Sequence, residues 1–151
     1  MITIVAIGRK HEPWVAEGIE RYQKRLKSPF DVEWVLLPHS SMEGDSARKE
    51  ESGRIAARLA DNQFVILLDE TGTSLDSPAL EQLLSSHQVH SSTVTFVIGG
   101  AYGVDERIHD RANTILSLSE LVFPHQLVRL ILIEQLYRAQ EINRGGKYHH
   151  V

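Results

Sequence analysis

The feature that most constrains the fold is the regular alternation of short apolar segments with helix-like segments along the whole chain. Strands are predicted at 2–8, 31–37, 64–69, 93–100 and 114–119. Helical periodicity predicts helices over 12–27, 45–61, 78–87, 105–112 and 125–142. The alternation predicts one α/β domain over residues 1–151, with a mostly parallel sheet flanked by helices and with ligands outside the carboxyl ends of the strands.

Local signals add detail to this outline. Pro13 suits the first turn of the first helix, where its missing N–H costs no hydrogen bond. Ser77 is a plausible N-cap for the third helix. The third strand, FVILLD, is continuously apolar, as central parallel strands are, and the ETGTSLDSP segment after it is expected to form a loop.

The composition excludes several kinds of site. The chain has no cysteine, so it has no disulfide, no thiolate nucleophile and no cysteine-based zinc site. The eight histidines lack H-E-x-x-H spacing, and no G-x-S-x-G elbow is present, so we expect neither a metal nor a serine hydrolase. The run LVRLILIEQLY is broken by Arg129 and Glu134, and no signal peptide is evident. We therefore expect a cytoplasmic protein with no membrane partner.

Charge is unevenly distributed around a net value of −4. Residues 1–30 carry six Lys or Arg against three Asp or Glu, whereas residues 31–90 carry four against eleven. No acidic residue follows Glu141, although Arg144 and Lys147 do. A phosphate backbone would therefore be favoured only near the two ends of the chain, which fits a shape-selective partner better than general RNA binding.

The last helix is apolar around nearly its whole circumference, from Leu127 to Ile142. A surface helix needs only one apolar stripe, so a second partner is expected for this one. Another subunit would supply that partner, and deep burial within one monomer is the alternative.

Two segments at predicted strand ends have the character of a ligand site. FVIGGAYGVDE places Gly99, Gly100 and Gly103 after a strand, where glycine permits close approach of a ligand, although a tight turn alone would look the same. The segment is neither G-x-G-x-x-G nor a Walker A loop. The apolar loop at 119–124 could form a wall for an aromatic ligand such as adenine, or could simply pack under the next helix.

The C-terminal sequence KYHH brings a phenol and two imidazoles together behind two glycines. These groups can move protons or stack on bases, so a catalytic tail is one interpretation. A frayed, dispensable end is the other.

Taken in order, the segments IVAIGRK, LLDETG, FVIGGAYG, SLSELVFPHQLVRLILIEQLYRAQEI and KYHH closely resemble the ribosomal RNA large subunit methyltransferase H family, the minimal members of the SPOUT methyltransferases. The resemblance covers essentially the whole chain. It implies methylation of N3 of a pseudouridine, at position 1915 in helix 69 of 23S rRNA, with S-adenosylmethionine as the methyl donor. It also implies an α/β fold with a C-terminal trefoil knot, a homodimer and a preference for assembled ribosomes.

The resemblance also assigns roles to residues. The cofactor pocket would contain Leu68, Gly100, Ser119, Glu120, Leu121, Val122, Phe123 and Pro124, and we add the neighbouring Gly99 and Leu118. Tyr148 and His149 would act in catalysis, with the tail of one subunit covering the pocket of its partner. We add Arg138 to this catalytic set, with an ion pair to Glu134 at i,i+4 spacing as its alternative.

RNA contacts are expected from six residues: Arg9, Lys10, His125, Arg129, Lys147 and His150. The family often ends in Pro-Tyr-His-Arg, whereas Lys147 and His150 flank the Tyr-His pair here, so a phosphate-binding role for position 150 does not carry over directly. The alternatives are a non-catalytic nucleotide-binding or ribosome-associated module and a SPOUT methyltransferase with another RNA target.

Overall fold

The computed structural model describes residues 1–88 and 93–150. Five strands form a single sheet: β1 (Ile2–Ile7), β2 (Val32–Leu37), β3 (Gln63–Ser74), β4 (Thr93–Ile98) and β5 (Thr114–Ser117). Their order is β2-β1-β4-β3-β5, and every neighbouring pair is parallel. The predicted α/β fold is therefore confirmed, with an entirely parallel sheet.

Five helices connect and follow the strands: α1 (Pro13–Gln23), α2 (Gly44–Ala56), α3 (Ser77–Gln88), α4 (Glu106–Arg111) and α5 (His125–Asn143). Pro13 begins α1, as predicted. The first two helices are four or more residues shorter at their carboxyl ends than predicted. In each case the last turn tightens, since Leu26 N bonds to Gln23 O and Leu59 N bonds to Ala56 O.

The helices cover both faces of the sheet. Alternate residues of β1 divide the core, because successive side chains of a strand point to opposite faces. Ile2 and Ile4 pack in a cluster with residues of α1, α3 and α5, whereas Val5 and Ile7 pack in a cluster with residues of α2 and α4. The helices therefore cover the two faces of the sheet, and the edge formed by the ends of the strands lies between the two helical layers.

Strand β3 corrects one prediction, because the start of the expected ETGTSLDSP loop remains in the sheet. The register with β5 shifts between Leu68 and Thr73, after which Thr73 and Ser74 pair with the end of β5. Gly72 allows this return, since a Cβ there would lie 2.5 Å from the carbonyl oxygen of Ile115. The expected loop is thus a bulged extension of β3.

The start of α3 corrects a second prediction. Asp76, and not Ser77, caps the helix, because its Oδ1 accepts from Ala79 N at 2.8 Å and its carbonyl oxygen accepts from Leu80 N. The hydroxyl of Ser77 instead donates to Gln135 of α5 at 2.7 Å. Ser77 therefore joins α3 to α5.

Helix α5 is buried along one side only. Leu132, Ile133 and Leu136 are completely buried, whereas Leu127 and Ile131 remain partly exposed and belong to neither apolar cluster. Within the described residues, no helix is long and apolar enough to cross a membrane. The dimer and the trefoil knot stay predictions.

Candidate active site

A cavity of about 540 Å³ opens at the carboxyl ends of β4 and β5 and beside the bulge of β3. Eight residues predicted for the cofactor line it: Leu68, Gly99, Gly100, Leu118, Ser119, Leu121, Val122 and Phe123. Glu120 and Pro124 belong to the same loop but are not part of the lining. Three segments separated in sequence thus meet at one edge, because parallel strands bring their carboxyl ends to the same side.

The glycine turn forms the floor of the cavity. Gly103 N donates to Gly100 O at 3.0 Å, and Gly103 has φ +74°. A Cβ at Gly100 would lie 2.5 Å from Oε1 of Glu51, a carboxylate that is only 3% exposed. A side chain at position 100 would therefore clash with Glu51 unless that buried carboxylate moved.

Glu51 of α2 supports this floor from behind. Its Oε2 accepts from Ser40 N at 2.9 Å, and its Oε1 has no hydrogen-bond partner among the described residues. Neither the glycine pattern nor the helical periodicity of α2 indicated a buried carboxylate at this place, because its burial depends on how α2 crosses the end of β4.

The apolar loop forms an open wall. Leu121 and Val122 are 71% and 78% exposed, which is unusual for aliphatic side chains. Two hydroxyl groups hold the turn in shape: Ser117 Oγ donates to Ser119 O at 2.9 Å, and Ser119 Oγ accepts from Leu121 N at 3.0 Å. The loop therefore presents apolar side chains to the cavity mouth instead of packing them under α5.

A polar wall lies opposite, and sequence reasoning missed it. Asp69 Oδ1 accepts from the backbone N and the hydroxyl of Thr71 at 2.9 and 2.7 Å. His109 Nε2 lies 3.8 Å from Asp69 Oδ2, and both residues line the cavity together with Glu70. The position of Asp69 at the end of the apolar run FVILLD could have revealed it, since ligands of such sheets bind at strand ends.

Arg129 has a different role from the RNA contact predicted for it. The residue is completely buried, and its Nη2 donates to the carbonyl oxygens of Ile7 and Gly8 at 2.9 and 3.0 Å. Its Nη1 donates to Lys10 O at 3.0 Å. Arg129 therefore joins the end of β1 to α5, and its side chain is not accessible to RNA.

Two histidines surround this arginine. Burial, and then the charge of Arg129, lowers the pKa of His11. The pKa of His125, which lines the cavity, is lowered chiefly by burial and next by Arg129. Both imidazoles are consequently kept neutral near pH 7.

The C-terminal tail folds back onto α5. Gly145 adopts φ +71°, and Gly146 N donates to Glu141 O at 2.8 Å, which reverses the chain. Tyr148 then packs edge-on against Tyr137 at 4.9 Å between ring centroids. Far from fraying, the tail is a packed part of the structure.

The three residues predicted for catalysis lie together in this tail region. Arg138 Nη1 donates to His149 Nδ1 at 3.1 Å, and the guanidinium lies 4.8 Å from the ring centroid of Tyr148. The ion pair expected for Arg138 is also present, since its Nη2 donates to Glu134 Oε1 at 2.6 Å. Burial, followed by hydrogen bonding with Tyr22, raises the pKa of Tyr148 to about 12, so its phenol stays protonated.

Within one subunit, the tail and the cavity are far apart. His125 lines the cavity at the start of α5, and Arg138 contacts the tail some thirteen residues later. The lining extends along α5 to Val128, so at 1.5 Å per residue the cavity ends about 15 Å along the helix before Arg138. Each subunit therefore contains a cavity and a cluster of tail residues, and the cluster lies outside the cavity of its own subunit.

The other predicted RNA contacts lie near the two ends of α5. Arg9 and Lys10 are exposed near its start, where Lys10 O accepts from Arg129. Lys147 and His150 are exposed beyond its end. Over the described ranges, no cluster of three or more His, Asp or Glu residues could hold a metal ion.

Comparison with known proteins gives consistent matches. Residues 1–149 match the family described as "Predicted SPOUT methyltransferase". The chain is 40% identical to the ribosomal RNA large subunit methyltransferase H of Acetivibrio thermocellus, with 98% of each chain covered. It is 42% identical to the protein of that name from Prochlorococcus marinus strain NATL1A, covering 97% of this chain and 93% of the relative, and 37% identical to that of Streptococcus sanguinis, covering 98% of each.

Proposed function

The chain belongs to the SPOUT methyltransferases, within the ribosomal RNA large subunit methyltransferase H family, and on that premise we propose that it methylates N3 of pseudouridine 1915 in helix 69 of 23S rRNA. S-adenosylmethionine is the methyl donor in this proposal, and assembled ribosomes in the cytoplasm are the substrate. The observation that carries it is the cavity described above, with its glycine floor, its apolar wall and its polar wall.

The residues of this cavity fit S-adenosylmethionine. Its volume lies within the range of about 300–1,000 Å³ that small-molecule sites occupy. The exposed side chains of Leu121 and Val122 offer an apolar surface for adenine. Asp69 and Glu70 place carboxylates where a cationic ligand is favoured over a neutral one.

The tail supports a site shared between two subunits. Arg138, which contacts His149, lies about 15 Å along α5 from Val128, the last α5 residue that lines the cavity of the same chain. Antiparallel pairing of two α5 helices about a two-fold axis would bring each tail to the partner's cavity. The partly exposed Leu127 and Ile131, with Trp14 at 52% exposure nearby on α1, supply an apolar surface for such a dimer.

The proposed chemistry is a displacement at carbon with removal of one proton. S-adenosylmethionine bound in the cavity would supply a sulfonium methyl group for transfer to N3, with the neutral thioether as its leaving group. His149 accepts the N3 proton, directly or through water. Tyr148, protonated up to about pH 12, stacks on or orients the base. Alignment of N3 with the methyl group supplies much of the rate.

The test is transfer of tritiated methyl groups to ribosomes from cells that lack the endogenous enzyme, beside free 23S rRNA and tRNA, with the product mapped by mass spectrometry. We expect N3-methylpseudouridine in helix 69, with ribosomes preferred. Label at another base or in tRNA would replace the target with a different RNA. Cofactor binding by calorimetry without transfer to any RNA would favour a non-catalytic module.

A further inference from the structure

Two basic segments that lie more than a hundred residues apart in sequence form one surface. Residues 21–27, RYQKRLK, contain four Lys or Arg and no acid, and residues 143–150, NRGGKYHH, contain two Lys or Arg, two histidines and no acid. Neither segment belongs to the cavity. The six cations are Arg21, Lys24, Arg25, Lys27, Arg144 and Lys147, here called the α5-end surface.

A buried glutamine fixes the first segment to the end of α5. Gln140 is only 1% exposed, and both ends of its amide are bonded to this segment. Its Oε1 accepts from Lys27 N at 2.7 Å, and its Nε2 donates to Arg25 O at 3.0 Å. A buried amide with both groups satisfied holds its partners in one geometry, so the loop is rigid relative to α5.

An aromatic series joins the same segment to the tail. The ring of Tyr22 lies 5.9 Å from that of Tyr137, and Tyr137 lies 4.9 Å from Tyr148. The cations of residues 21–27 therefore stand in a fixed relation to the Tyr148–His149 pair.

The charges of this surface are available to a partner. All six cations are exposed. Within the described part of the chain, Arg144 pairs with Glu141 at 3.5 Å, and the other five form no ion pair with a carboxylate. Uncompensated cations on an otherwise acidic protein attract a polyanion and add little to stability of the fold.

We propose that the α5-end surface binds the phosphate backbone of the RNA that carries the target base, holding that base against the tail of the same subunit. RNA is favoured over an acidic protein because the neighbouring tail offers an aromatic ring and imidazoles, the groups that contact unstacked bases. This inference rests on the proposed function. It extends the RNA contact expected at Lys147 and His150 to residues 21–27, at the opposite end of α5 from Arg9 and Lys10.

The test compares the charge reversal Arg25→Glu/Lys27→Glu with Lys49→Glu/Arg58→Glu. The control removes two exposed cations from α2 and the turn after it, on the other face of the sheet, so both variants change net charge equally. Ribosome binding is measured by sedimentation at several salt concentrations, together with methylation kinetics and S-adenosylmethionine calorimetry. Thermal unfolding verifies that both variants fold.

The Arg25/Lys27 variant is expected to raise KM for ribosomes about tenfold or more, with kcat and cofactor affinity within about twofold of wild type. The slope of log K against log salt should fall by roughly two, one for each lost phosphate contact. Binding equal to that of the control overturns the inference, and methylation by the wild-type protein then leaves the proposed function intact. If the wild type methylates no RNA but ribosome binding still depends on these residues, the proposed RNA-binding surface is supported and the proposed function is wrong.

Discussion

Arg138 Nη1 donates a hydrogen bond to His149 Nδ1 at 3.1 Å. Arginine has only donors, so Nδ1 must be the acceptor, and the hydrogen of the neutral imidazole is on Nε2. A base must offer a free lone pair, and the one on Nδ1 is occupied by Arg138. His149 therefore has to move away from Arg138 before it can take a proton from substrate, which fits a tail that works on a partner's cavity.

Replacement of His149 by glutamine should lower kcat for methyl transfer by about 100-fold, because positioned general-base catalysis contributes that order of rate. The affinity for S-adenosylmethionine should stay within twofold, since His149 does not line the cavity. Single-turnover kinetics and calorimetry measure the two quantities. His87→Gln, on α3 and outside the cavity lining, is the matched control. An unimpaired His149→Gln enzyme would remove the proton-acceptor role.

Complementation tests whether the site is shared. A Gly100→Ala subunit has a damaged cavity but an intact tail, and a His149→Gln subunit has the reverse. After subunit exchange, about half of the dimers are mixed and each holds one intact shared site, so about a quarter of wild-type activity should return. A site built from one chain would give no recovery when the two inactive proteins are mixed.

Gly100→Ala should itself destabilise the fold by about 1–3 kcal/mol and weaken cofactor binding. The added Cβ would lie 2.5 Å from Glu51 Oε1 and 3.2 Å from Ile7 Cγ2, in a closely packed region. Urea unfolding and calorimetry measure both effects. Gly53→Ala is the control: its Cβ would have only ordinary contact with Arg107 at 3.7 Å, and α2 should gain about 0.5–1 kcal/mol. Equal stability of the two variants would contradict the packing argument.

Arg129→Met should cost at least about 2 kcal/mol of unfolding free energy. It leaves the buried carbonyl oxygens of Ile7 and Gly8 without the hydrogen bonds that Arg129 donates. Chemical denaturation measures the loss, with Arg9→Met as an exposed control. Loss of RNA affinity at unchanged stability would instead restore Arg129 as an RNA contact.

Stability should fall as pH drops below about 6.5, in part because of His11. Its folded pKa is lower than the unfolded value of about 6.5, so the unfolded chain takes up a proton first. The stabilisation is complete above the unfolded pKa and is lost as pH falls through the folded one. Denaturation between pH 7.5 and 5 should show a smaller slope for His11→Gln, and an unchanged slope would exclude His11 as the cause.

The local pattern of the sequence was enough to predict much of the site. The ends of β4 near Gly100 and of β5 at Ser117, and the end of the apolar run at Leu68 within β3, follow from apolar residues succeeded by polar residues and glycine. Parallel strands present these places at the same edge of the sheet. Eight of the ten residues expected in the cofactor pocket, most of them assigned by the family resemblance, line the cavity. The sequence did not predict that α1 and α2 are shorter or that β3 is longer. These bounds depend on packing against residues distant in sequence, which tightens the last helical turns and returns β3 to the sheet after its bulge.

By itself, the sequence determined the α/β class, the positions of the apolar strand cores and the uneven placement of charge, since each depends on residues close together in the chain. Only the tertiary structure decided that Arg129 is buried, that Glu51 lies behind Gly100, and that Gln140 joins residues 21–27 to the end of α5. Burial and long-range hydrogen bonds arise from how helices cross the sheet, and helical periodicity shows which face of a helix is apolar without showing what that face will meet.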